Sequence, residues 1–341
     1  MRGILARWLV AITIFGVTGE LLARATNLVD RLNGYGRSLY TAGPEPDLPY
    51  RLRPGVQTTY VGAPVRVDAL GFRGPEVAVA PAPGVRRILV LGDSVVFGQG
   101  VREDETVSAV LARTLGSAAA PVEAINAGVP GYDTTAELRL LARAGMALHP
   151  AAVVVGMSLN DYDPPPAYSP IGVLSYSSRL GIPLLDASEF VTLLRWLWRW
   201  TRGALGYQVL ARIERDLPQA GPATGLDRAV ESEHRRFYAA PPPERWRRVV
   251  DACAALAAFG REHALPILVA IFPEQYQMRA DADVAPQRAL LDVCRQTGLT
   301  CLDLQPAFAA AGGTLFQDAQ HPNAAGHAVA GAVIAAALRA P

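Results

Sequence analysis

Four short blocks, far apart in the chain, carry residue types that together could perform acyl transfer. Gly92-Asp93-Ser94 offers a hydroxyl directly after an apolar run, at the start of a turn. Asn126-Ala127-Gly128-Val129-Pro130-Gly131 offers glycines, where the missing side chain lets the backbone come close to a substrate. Gly156-Met157-Ser158-Leu159-Asn160-Asp161 supplies a side-chain amide. Asp318-Ala319-Gln320-His321-Pro322-Asn323 sets a carboxylate three residues before an imidazole. Attack on an ester needs a hydroxyl nucleophile, a base for its proton, a group that orients the base, and donors for the developing oxyanion. Ser94, His321 and Asp318 have the chemistry for the first three roles. The backbone N–H groups of Ser94 and Gly131 and the amide of Asn160 have it for the fourth.

A lone serine after a strand is usually a turn or helix-capping residue, so Ser94 is a nucleophile candidate only in the company of the other blocks. His321 has four rivals as base. His149 precedes a proline, His234 falls in a long interruption of the main pattern, and His263 closes a surface helix. His327 sits on the last helix and could at most stand behind the site. Asp93 and Asp161 read as braces for their loops, and Asn126 and Gly128 as loop formers.

The elements that must position these blocks follow from hydrophobic spacing. Arg87 to Leu91, Val122 to Ile125, Ala152 to Val155, Ile267 to Phe272 and Thr300 to Leu304 are short apolar runs that predict strands. Between and after them, Asp104 to Leu115, Thr134 to Leu148, Glu244 to His263, Pro286 to Thr297 and Ala324 to Leu338 have helical spacing. Alternation of this kind predicts βαβ units, hence a five-stranded parallel sheet in a three-layer α/β/α sandwich. In such a sheet, sites form outside the carboxyl ends of the strands, and the four blocks lie at or after those ends. The main domain is expected over 85–341, with an insertion at about 162–243 bounded by prolines. Residues 26–84, rich in Pro, Gly and Tyr, read as an irregular lead-in.

At this point the order GDS, NAGVPG, SLND, DAQHPN resembles the SGNH, or GDSL, hydrolase family over roughly Arg86 to Arg339. That family contributes a Ser, a Gly, an Asn and a His from four blocks in this order, with an Asp three residues before the His. The resemblance implies a flavodoxin-like fold and a serine esterase with Ser94, His321 and Asp318 as its catalytic residues. Ser94, Gly131 and Asn160 would form its oxyanion hole. An upstream GFRG element, Gly71 to Gly74, is similar to a bacterial subgroup with an N-terminal anchor and an exported hydrolase domain. Ser158 stands where the family often has Gly, and the G-x-S-x-G elbow of the α/β-hydrolases is absent. The motifs do not separate hydrolysis from acetyl transfer to an envelope polysaccharide, and a catalytically silent binding module of the same fold is the contrasting reading. The intact residues argue against the latter.

Composition narrows the rest. Of 341 residues half are apolar, and 32 basic side chains, all arginine, balance 31 acidic ones. A net charge of +1 without long runs of one sign speaks against nucleic acid as a partner. The expected partners are an acyl-ester substrate and a membrane. Residues 1–25 include an apolar stretch from Ile4 to Ala23, interrupted only by Arg7 and Glu20. It reads as an uncleaved anchor, with Arg2 and Arg7 holding the N-terminus inside and the catalytic part exported. A signal peptide cut after Ala23-Arg24-Ala25 and a buried cytoplasmic helix are the alternatives. The segment 190–205 (FVTLLRWLWRWTRGAL) could lie on a membrane or cover an acyl pocket, or simply pack on the main domain. Cys253, Cys294 and Cys301 form no zinc-binding pattern, and no cofactor is called for. Cys294 and Cys301 flank one helix-to-strand turn and could be bridged in an oxidising compartment.

Overall fold

The computed structural model describes residues 2–26, 39–45, 48–168, 174–175, 185, 188–199 and 225–339. In chain order the elements are α1 (Arg2–Thr26), β1 (Tyr40–Glu45), β2 (Leu48–Leu52), β3 (Gln57–Tyr60), β4 (Ala63–Arg66), β5 (Arg86–Gly92), α2 (Ser94–Phe97), α3 (Val107–Leu115), β6 (Val122–Gly128), α4 (Thr134–Leu140) and β7 (Ala152–Met157). There follow β8 (Ala167–Tyr168), β9 (Leu174–Ser175), α5 (Glu189–Arg199), α6 (Gly225–Ala239), α7 (Pro243–Glu262), β10 (Ile267–Ile271), α8 (Ala285–Thr297), β11 (Thr300–Asp303), α9 (Gln305–Ala311) and α10 (Ala324–Arg339).

Five strands form one parallel sheet in the order β11-β10-β7-β5-β6, the doubly wound order with its crossover beside β5. Alternate side chains serve opposite faces. Leu89, Leu91, Val153, Val155, Val269 and Ile271 pack under α7 and α8 on one side. Ile88, Val90, Val154, Leu268 and Ala270 meet α3, α9 and α10 on the other. Being covered on both faces, these strands read as continuous apolar runs.

The carboxyl edge has a feature that the site depends on. Gly92 pairs with Gly128 on one side and with Gly156 on the other, so three neighbouring strands end in a row of glycines. A Cβ at Gly92 or Gly156 would come within 2.2 or 2.3 Å of Cγ2 of Val96, and one at Gly128 within 2.3 Å of the backbone nitrogen of Phe97. The bare row lets α2, which begins with Ser94, lie directly on the ends of the strands.

Two expectations need correction. The stretch from 39 to 74 is not irregular: β1 pairs with β2 and β3 with β4 as antiparallel hairpins. Tyr40, Tyr50, Tyr60 and Val65 pack with Phe97 after the nucleophile turn and with Val129 and Tyr132 after β6. The Pro and Gly content marks tight turns between short strands, and the tyrosines are core residues. The helix expected over Thr134 to Leu148 keeps α geometry only to Leu140, then widens into a π turn (Leu141–Gly145) and a 3₁₀ turn (Met146–Leu148). A π turn of this kind inserts an extra residue without ending the helix.

Cys294 and Cys301 are joined in a disulfide, and Cys253 is a buried free thiol. Within the expected insertion, α5 and α6 are described, and residues 200–224, which include the end of the expected helix over 190–205, lie outside the described residues. In α1, Ala6–Thr26 is 21 residues long and apolar enough to cross a membrane, with most of its side chains exposed.

Candidate active site

Ser94 opens α2 because Asp93 caps that helix: its Oδ1 accepts the N–H of Val95 at 2.8 Å. Two further groups fix the far end of the same short helix. The Arg73 guanidinium, buried from solvent, donates to the carbonyls of Phe97 (2.5 Å), Gly98 (2.6 Å) and Val101 (2.6 Å). Asn126 Nδ2 donates to the carbonyl of Val96 at 3.0 Å, while its Oδ1 accepts the N–H of Gly128 at 3.0 Å. A four-residue helix cannot hold itself. These outside bonds do so, and thereby fix where the Ser94 hydroxyl points.

Across the cleft, Ser94 Oγ lies 2.9 Å from His321 Nε2. His321 Nδ1 lies 2.9 Å from both carboxylate oxygens of Asp318. Asp318 Oδ1 also accepts the N–H of Gln320 at 2.9 Å and of His321 at 2.8 Å, which locks the three-residue spacing seen in the sequence. The tautomer follows from the partners. Nδ1 donates to the carboxylate, so Nε2 has its lone pair free to accept the serine proton. Burial alone would raise Asp318, yet the charge and hydrogen bonds of His321 outweigh it and hold Asp318 at about 2. Burial would lower His321, and Asp318 outweighs that in turn, so the imidazole sits above its usual value.

Ser94, Asn160 and His321 line one small cleft together with Ser158, Leu159, Phe272 and Glu274. Its empty volume is about 270 Å³, mouth included. Gly131 lies outside this lining, in the turn after β6 with φ of +82°, a backbone that favours glycine. Its neighbour Pro130 is held by Tyr50, whose hydroxyl donates to the Pro130 carbonyl at 2.8 Å.

His327 is not part of the cleft. Its Nδ1 accepts the N–H of Val107 at 3.2 Å, and burial pushes it down to about 3, so it stays neutral. Asp161 accepts from Thr134 Oγ1 at 2.9 Å, bracing the loop as read from the sequence. Asn126, read as a loop former, instead holds α2, the helix that Ser94 opens.

Sequence reasoning passed over Glu274, Gln320 and His234. Glu274, only 4 % exposed, accepts from Gln320 Nε2 at 3.1 Å, and His234 Nδ1 from α6 stands 3.0 Å from its other oxygen, out of line for a hydrogen bond. His234, on α6, thus stands behind Glu274, which lines the cleft. A signal existed: Phe272-Pro273-Glu274 follows β10, and its carboxyl end is the one beside the blocks that carried no suspected residue. Among the described residues, no group of three or more His, Cys, Asp or Glu side chains could hold a metal ion.

No curated protein sequence matches the chain. Among solved structures, the chain is similar to a lipase/acylhydrolase from Enterococcus faecalis, at 15 % identity over 74 % of this chain and 95 % of that one, with a TM-score of 0.39. It is also similar to a catalytic mutant of an acetylxylan esterase from Geobacillus stearothermophilus, at 13 % identity over 75 % and 95 %, with a TM-score of 0.42. The profile of the GDSL-like lipase/acylhydrolase family matches residues 90–329, well over half of the chain and all four blocks, and the protein therefore belongs to that family of carboxylic ester hydrolases.

Proposed function

We propose that this chain is an extracytoplasmic serine esterase, tethered by its N-terminal helix, that removes a short acyl group, acetyl above all, through an acyl-enzyme. The observation that carries this reading is the continuous relay from Ser94 Oγ through His321 to Asp318, each step at 2.9 Å. Ser94 Oγ attacks the ester carbonyl carbon as its proton passes to His321 Nε2. The oxyanion is held by the N–H groups of Ser94 and Gly131 and by the amide of Asn160, none of which has an acceptor among the described residues. Collapse expels the alcohol, which takes the proton from His321, and leaves Ser94 acylated. Water then repeats the cycle, giving its proton to His321 and releasing the acid.

The small size of the cleft, about 270 Å³ with its mouth, favours a short acyl group. Export is supported by the Cys294–Cys301 disulfide, since such bonds persist in oxidising compartments. The arginines that open the apolar helix favour an inside N-terminus. Over its 21 residues that helix spans about 31 Å, which matches a bilayer core of about 30 Å.

The decisive experiment is Ser94→Ala with a short aryl acetate. Turnover and fluorophosphonate labelling should both vanish while the circular dichroism spectrum is kept. Undiminished turnover in that variant would overturn Ser94 as the nucleophile.

A further inference from the structure

Glu20 is the residue least suited to the segment it occupies. A carboxylate serves neither a bilayer span nor a signal peptide, and here it lies inside the apolar helix. The structure gives it a task in another part of the chain. Ser188 Oγ donates to Glu20 Oε2 at 2.7 Å, the N–H of Phe190 to the same oxygen at 3.0 Å, and the N–H of Glu189 to Oε1 at 3.2 Å. Those amides belong to the first turn of α5, where N–H groups have no acceptor within the helix. A carboxylate there both satisfies the amides and meets the positive end of the helix dipole. Ser188 itself accepts the N–H of Val191 at 3.0 Å, so α5 has a cap of its own and a second one from α1.

Packing agrees with the polar contacts. The Phe190 ring rests on Gly19, where a Cβ would come within 2.6 Å of it. Phe15, one turn earlier, meets the same ring edge-on at 5.2 Å. Phe15, Gly19 and Glu20 therefore make a seat for the start of α5 on one face of α1. Arg24, a turn beyond, donates to Glu20 Oε1 at 2.6 Å and holds the carboxylate in place. Glu20 ends the uncharged run that begins at Trp8, and its partner Arg24 follows one turn later, so this seat lies toward the outer end of the span, where charged side chains reach up to the interface. From it α5 runs for 11 residues, with Leu194 and Leu197 about half exposed.

We infer that α5 is a second membrane element, lying in the interfacial layer of a phospholipid bilayer and locked to an uncleaved N-terminal helix through Glu20. This rests on the reading of α1 as an anchor. The occupant of the exposed α5 face is the bilayer, because the face continues the exposed apolar surface of α1 from the point where the two helices join. Leu194 and Leu197 enter the acyl region, as the apolar residues of interfacial helices do. Retention follows as well, since a cut after Ala25 would remove Phe15, Gly19 and Glu20 together.

The test uses the full chain in vesicles of phosphatidylethanolamine and phosphatidylglycerol. Leu194→Cys carries an environment-sensitive fluorophore, which the buried Cys253 does not take up, and nitroxide lipids quench it at shallow or deep positions. Ile12→Cys carries the same label as a control for the anchor. The label at 194 should be blue-shifted and quenched more by shallow than by deep nitroxides, and the label at 12 more by deep ones. Glu20→Leu and Gly19→Val should return the 194 label to its emission in water while the label at 12 stays quenched. A water-like label at 194 beside a quenched label at 12 would overturn the placement of α5 and leave the anchor standing. Unchanged quenching at 194 in both variants would overturn the lock. An unquenched label at 12, or a mature chain beginning after Ala25, would overturn the anchor and the inference with it.

Discussion

Two sets of carboxyl groups lie around the candidate site, and the same chemical group is treated in opposite ways. Asp318 shares both oxygens with His321 and two backbone amides and is held at about 2. Asp93, Asp161 and Glu137, all nine-tenths buried or more, are pushed up by burial, Asp161 and Glu137 far above the ordinary range. Both oxygens of Glu137 lack a hydrogen-bond partner, and its charged neighbours Asp161, Asp93 and Asp133 raise it further. The difference lies in the partner. A carboxylate that accepts from an imidazole and from backbone amides is held low, whereas buried carboxyls that crowd one another are pushed up.

The strongest way to break this contrast is Asp318→Asn. It keeps the shape and removes the charge, and kcat should fall by about 10⁴-fold. The same variant carries a pH signature. The acid limb of kcat/KM should lie above the usual histidine value of about 6.5, because Asp318 raises His321. In Asp318→Asn it should move to lower pH, and a limb that does not move would show that the carboxylate does not act on the imidazole. Asp161→Asn is the counterpart in the other set. Asp161 is buried and pushed far above the ordinary range, so a neutral amide should serve in its place: aryl acetate turnover at pH 7 should stay near that of the parent, and a loss like that of Asp318→Asn would erase the contrast.

The smallest expected effect is on stability. A group whose folded value is raised favours the native state below its unfolded value of about 4 and loses that contribution as pH rises. Urea unfolding should therefore show the parent losing stability as pH rises above that value, and Glu137→Gln should flatten that slope. Asp318 has the opposite sign: its contribution is present above about 4 and fades as pH falls toward 2. An unchanged slope in Glu137→Gln would mean that this side chain is ionised in the native state.

Much of this could be read along the chain, for a physical reason in each case. The five strands of the sheet are legible because burial on both faces leaves continuous apolar runs; Ser94 and Asn160 stand out as candidates because they follow such runs within a few residues, and Asp318 and His321 because a carboxylate stands three residues before an imidazole. The hairpins of 39–66 escaped, since four- to six-residue strands broken by Pro and Gly have too few positions to show a period. Arg73 and Asn126 escaped for another reason: nothing local marks an arginine or an asparagine as the support of a helix formed some twenty or more residues away.

The sequence by itself determined the fold class and the residue types of the reacting centre, because periodicity and strand-end position are local properties. Only the tertiary structure decided which carboxyls are held low and which are pushed up, that the glycine row clears a place for Ser94, and that Glu20 caps the start of α5 from another helix. Charge state, close approach and capping from another helix all depend on what is near in space, and a chain read in order does not contain that.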